Sequence, residues 1–169
     1  MSRLGKFLFA GLVVIGCSLH GQSINDIRYF LQSSEGYRNV PYRDAGGWSV
    51  GIGHHIQGYC RDYYSDAEIS QLFYEDLGRA YATARSGILD FDGLPRLAKE
   101  VVLGVIWGVG RDGFMKFKNF RYHLSIRDYD KAADDLEDSR WARQVGPNRT
   151  DEYVLFLEVC KPVKIRLVK

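Results

Sequence analysis

At 169 residues the chain is one ordinary domain's worth of polypeptide, and its 46% apolar and 14% aromatic residues suffice to bury a real core. The formal charge of +2 rests on Arg3 and Lys6; without them 21 basic residues face 21 acidic ones, a balance that argues against nucleic acid as a partner. No repeat or low-complexity run breaks the sequence, and no cysteine or histidine spacing suggests a metal or a cofactor.

Met1 to Gln22 has a basic start, an apolar run from Phe7 to Gly16 and small residues after it, which reads as a secretory signal too short to span a bilayer. Val14-Ile15-Gly16-Cys17 also resembles a lipoprotein signal, in which Cys17 becomes an acylated N-terminus; plain cleavage after Ser18 is the alternative. Ile24, Ile27, Phe30 and Leu31 then fall at helical spacing, so residues 24–34 form an amphipathic helix that delivers Glu35.

The stretch Glu35 to His54, EGYRNVPYRDAGGWSVGIGH, is the densest in chemistry. Its glycines are unsuited to helix interior, while Tyr42, Trp48, Val50 and Ile52 favour strand and Asp44-Ala45-Gly46-Gly47 favours a turn. The expected picture is a helix ending near Glu35 and a small hairpin carrying Asp44 and Ser49. Two carboxylates held apart across a cleft are what glycosidic cleavage requires: one donates a proton, the other stabilises positive charge or activates water. A Glu beside water-excluding aromatics suits the acid role, an Asp on a wet glycine-rich hairpin stays ionised, and Ser49 can hold the water. Two acids nine residues apart are common in soluble chains, so spacing alone leaves catalysis and plain structure both open.

Residues 57–64 read as a loop, and Ser65-Asp66-Ala67-Glu68 as a capping box opening a helix to about Arg85. Ile69, Leu72, Phe73, Leu77, Ala80 and Ala84 form its buried stripe. Asp76 falls on that stripe and needs a partner, for which His54 is the natural candidate. Leu94-Pro95 opens an apolar helix through Val101, Val102, Val105, Ile106 and Trp107, expected to end at Gly108 and Gly110. Short turns and helices follow at Gly113-Phe114 and Phe117 to Arg121. Tyr129 to Asp138 forms a helix with Ala132, Ala133 and Leu136 inward. The tail from Lys161 alternates like a strand after Pro162 and carries four basic residues, Lys161, Lys164, Arg166 and Lys169, either frayed or meeting anionic lipid or wall polymer.

The Glu35–His54 stretch resembles the active-site signature of phage-type lysozymes and endolysins, in which a Glu precedes a hairpin with Asp, Thr and Gly-x-Gly-His. Ser139-Arg140-Trp141, Gln144 and Pro147-Asn148-Arg149 are similar to a second segment of that family, and the likeness runs from about Ile24 to Val159. The resemblance implies an α+β, lysozyme-like fold. A small lobe with a hairpin (residues 23–64) and a helical lobe (86–160) are joined by a helix over 65–85, with a basic tail over 161–169. It implies Glu35 as general acid, Asp44 as second carboxylate and Ser49 in place of Thr, which keeps the hydroxyl and loses the methyl that restricts its rotamer. It implies a structural ion pair between His54 and Asp76.

The candidate substrate-binding residues are His55, Trp107, Phe120 and Asp135. Trp107 either stacks on a sugar or is core; Phe120 and Asp135 stand where the family has substrate-contacting Ser and Asn. Gly108 stands where the family has an amide side chain. Trp141 reads as core, and Arg149 either pairs near Glu35 or lies on the surface. Cys60 and Cys160 fall in opposite lobes, which argues against a disulfide.

The implied activity is an N-acetylmuramidase acting on peptidoglycan between N-acetylmuramic acid and N-acetylglucosamine, with inversion. A catalytically weak wall-binding protein and a lytic transglycosylase are the alternatives. The implied protein is an exported monomer, periplasmic or anchored at the outer membrane, touching the membrane only through the N-terminal segment or lipid on Cys17. If phage-encoded, it is released at host lysis, and the leader then resembles a signal-anchor-release segment.

Overall fold

Capping side chains at Ser65, Asp128 and Ser139 set where three of the helices begin. The computed structural model describes residues 24–44 and 46–162. The signal readings on residues 1–22, Cys17 included, and the strand-like reading of 163–169 lie outside the described residues.

Helix α1 (Ile24–Glu35) leads into an antiparallel sheet of β1 (Arg38–Asp44), β2 (Gly47–Gly51) and β3 (His54–His55), in the order β1-β2-β3. The long helix α2 (Asp66–Gly87) follows, and after a single 3-10 turn at Phe91–Gly93 the chain forms α3 (Arg96–Met115), α4 (Lys118–Ser125), α5 (Tyr129–Glu137), α6 (Arg140–Val145) and α7 (Pro147–Val159). Helices dominate and strands are confined to one corner, an α+β arrangement as expected.

The start of α2 is fixed by the capping box. Ser65 Oγ accepts from Glu68 N, and Glu68 Oε2 accepts in return from Ser65 N at 2.8 Å. The same corner is tied to the sheet, since Asp66 accepts from the Tyr37 hydroxyl and from Asn39 Nδ2. Ile69, Phe73, Leu77, Ala80 and Ala84 of α2 are buried as anticipated, whereas Leu72 is only half-buried.

Helix α3 is the centre of the larger core. Val101, Val102, Leu103, Val105 and Ile106 are all buried, as befits a helix apolar nearly all round. Its expected end at Gly110 is a kink instead: φ is 67° there, a conformation open to glycine, and helix resumes through Met115. The apolar face of α1, assigned to the small lobe from sequence, buries Ile27, Phe30 and Leu31 in this same core. Phe30 lies 5.6 Å from Tyr153 and 6.1 Å from Phe156 of α7, centroid to centroid. The sheet has only a minor core of its own, built from Val50, Tyr64 and Ile69. Helices α1 and α7 thus pack together, while β2 and β3 lie against α2. Cys60 and Cys160 are not disulfide-bonded.

Candidate active site

Helix α1 terminates at Glu35 because Gly36 follows in the left-handed region (φ 81°), its N–H capping back to Gln32 O. Glu35 stands at that helix end with its side chain one-fifth exposed. Arg149, in the first turn of α7, donates Nη1 to Glu35 Oε1 at 2.7 Å and Nη2 to the Ser34 carbonyl. The Pro147-Asn148-Arg149 segment therefore serves Glu35 directly: proline occupies the first turn of α7, where its missing N–H costs nothing, and Arg149 projects across to α1.

Asp44 ends β1, directly across from Gly47 on β2. Its Oδ2 accepts from Ser49 Oγ at 2.5 Å, and its Oδ1 accepts from the backbone N–H groups of Gly46 at 2.8 Å and Gly47 at 3.1 Å. Three donors converge on one carboxylate. The Ser49 hydrogen bond, with those two amides and the nearby His55 charge, holds the Asp44 carboxyl below its ordinary value, against a smaller opposing effect of burial. Ser49 itself is 1% exposed, fixed in the middle of the sheet between Tyr42 and His55.

Tyr42 lies within electrostatic range of both carboxylates. Its phenol is pushed up by burial first, then by the charges of Asp44 and of Glu35. Tyr42 thus feels the charge of both acids anticipated from sequence.

Two further contacts moor the hairpin to the rest of the molecule. His54 Nδ1 lies 2.8 Å from Asp76 Oδ2 on α2, and Arg79 holds the other oxygen of the same carboxylate. Trp107 of α3 donates its indole N–H to the Ile52 carbonyl at 2.7 Å, with its ring 5.5 Å from Phe73. His54 and Arg79 thus hold opposite oxygens of the Asp76 carboxylate. Of the two readings of Trp107, core or sugar contact, the structure shows an anchor that keeps part of its ring exposed.

Among the described residues, two cavities bear on the candidate substrate contacts. One, of about 600 Å³, is bordered by His55, Arg79, Thr83, Ser86, Trp107 and Arg111. The other, of about 790 Å³, lies within the helical lobe and includes Phe117, Phe120, Asp135, Ser139, Trp141 and Gln144. The four candidate substrate contacts thus divide into two pairs, and Glu35, Asp44 and Ser49 border neither cavity. Phe120 is 1% exposed and packed on Phe117, so it supplies apolar floor and no hydrogen-bonding group. The Asp135 carboxylate is taken by His123 Nδ1 at 2.6 Å. That pair was invisible in the sequence, since its members lie on separate helices with no shared periodicity.

Trp141 is core, stacked on Tyr153 at 5.3 Å. Its indole N–H is buried with no acceptor, and the position a Gly108 side chain would occupy lies 3.0 Å from it. The amide that the resemblance expects at this position is what the indole lacks.

Residues 32–151 match the family model described as phage lysozyme. No curated protein matches the chain. The matched span covers well over half of the chain and includes Glu35, the whole hairpin with Asp44 and Ser49, the moorings at Asp76 and Trp107, and Arg149. The geometry of the hairpin and the extent of that match together place the chain in the phage lysozyme family, as a lysozyme-like hydrolase of peptidoglycan.

Proposed function

We propose that this protein is a muramidase, cleaving the glycosidic bond between N-acetylmuramic acid and N-acetylglucosamine with Glu35 as acid and Asp44 as the ionised partner. The observation that carries the reading is the Asp44 carboxylate, held as an anion by one hydroxyl and two amides on an exposed turn. A carboxylate so supported suits a site where positive charge develops on the sugar ring.

Arg149 occupies Glu35 Oε1, and among the described residues no hydrogen bond is made to Oε2, which is the oxygen that presents the proton to the leaving group. As the bond breaks, positive charge grows on the anomeric carbon and Asp44 stabilises it. Ser49 spends its single proton on Asp44, so its oxygen keeps lone pairs for a water molecule. That water, deprotonated toward Asp44, attacks from the face opposite Glu35 and inverts the anomeric centre.

Product analysis tests this. Purified glycan strands digested by the protein are expected to yield reducing ends, with the α anomer appearing first in a proton NMR time course. Anhydro-sugar ends would assign a lytic transglycosylase instead, and an initial β anomer would exclude inversion. A preparation that binds walls without releasing fragments would make it a wall-binding protein.

A further inference from the structure

We propose that His55 is a positioning residue for Asp44, its imidazole standing over the diglycine turn and holding the carboxylate ionised and in place. The inference rests on the reading of Asp44 as the ionised partner and adds to that reading a residue of a type that neither motif required.

The placement follows from the sheet. His55 pairs with Ser49, which pairs in turn with Tyr42, so the three side chains share one face. Gly47 lies two residues from Ser49 on that same face and opposite Asp44. A side-chain carbon at Gly47 would meet His55 Cε1 at 3.0 Å; one at Gly46 would meet Asp44 Oδ1 at 3.4 Å and His55 Cε1 and Nδ1 at 3.9 Å. Imidazole and carboxylate therefore flank the same pair of glycines. The absence of side chains there is what lets a ring from β3 approach the end of β1.

Charge explains why it matters. All three hydrogen-bond donors to Asp44 are neutral: a serine hydroxyl and two amides. The other charged groups around His55 are already engaged. Asp76 is shared by His54 and Arg79, while Arg111 lies against Asp112. Among the described residues His55 is the cation-capable group that acts on Asp44. Its ring is exposed and borders the smaller cavity. An imidazolium beside a carboxylate favours the ionised form, and its influence grows as the medium is acidified.

The test compares wild type with His55→Gln and His55→Lys. Carbon-13 titration of the Asp44 carboxyl is expected to move to higher pH in His55→Gln and to return in His55→Lys. The ratio of wall-clearing activity at about pH 4.5 to that at about pH 7.5 is expected to fall about threefold in His55→Gln and recover in His55→Lys. An unmoved Asp44 titration overturns the proposal, as does a loss equal at both pH values, which marks a substrate contact or a packing defect. The titration is independent of turnover. If Glu35→Gln clears walls at the wild-type rate the muramidase reading fails, and the His55–Asp44 coupling is still decided by the titration.

Discussion

Ser49 is the residue on which the chemistry of the turn converges. Removing its hydroxyl in Ser49→Ala deletes the shortest of the three bonds to Asp44 and the oxygen left for water. Wall clearing is expected to fall by about 10²-fold, the scale of losing one oriented group at a proton-transfer site. The same variant carries a pH signature. A carboxyl held low by the fold stabilises the native state above its unfolded value and loses that contribution as pH falls through the folded one. The stability gap between wild type and Ser49→Ala is therefore widest near neutrality and closes in acid, which denaturation at a series of pH values checks. A second residue-scale expectation concerns Gly108. An orphaned indole N–H costs about 1–3 kcal/mol, and glycine within helix about 1 kcal/mol more. Gly108→Gln supplies an acceptor and a helix former together, so thermal unfolding is expected to shift upward by about 4 °C or more. An unchanged or lowered midpoint would show that the space beside Trp141 does not admit the side chain.

At the scale of elements, the capping box at α2 is the clearest case of local chemistry setting a boundary. Ser65→Ala removes the cap of the helix that moors both hairpin and core, at a cost of about 1 kcal/mol. Calorimetry should show a drop of about 2–4 °C. The Glu68 carboxyl, pulled down to about 2 by its bonds to Ser65 first and then by Arg61, is ionised at neutral pH and so accepts in the cap. This start was legible because capping acts within four residues. Helix α1, the hairpin and the stripe of α2 were legible for a related reason: period and turn chemistry are local. The two-residue strand β3 is too short to show any period. The resumption of α3 after Gly110 was hidden because a glycine in the left-handed region ends a helix just as well as it kinks one. The pairing of α1 with α7 rather than with the sheet depends on contacts more than a hundred residues apart, of which Arg149 and Glu35 are one instance.

For the whole molecule, the hairpin is a small element with little core of its own, held in register by His54–Asp76–Arg79 and by Trp107–Ile52. Trp107→Phe keeps a six-membered aromatic ring and loses the indole N–H that bonds to Ile52. About 1 kcal/mol of stability is expected to go with it, and hydrogen exchange should rise in β2 and β3 before it rises in α3. Exchange rising equally everywhere would mean that Trp107 serves only the core. The partition of substrate-binding candidates between two cavities was not legible in the sequence, because motif matching assigns residues to a site without saying which wall they stand on.

The central claim is that Glu35 and Asp44 act together on one bond, and the wall-clearing rates of Glu35→Gln and Asp44→Asn test it most directly. Both variants remain folded by circular dichroism on this account, and each clears purified walls at least about 10³-fold more slowly than wild type. A folded Glu35→Gln or Asp44→Asn that clears them at the wild-type rate would contradict it.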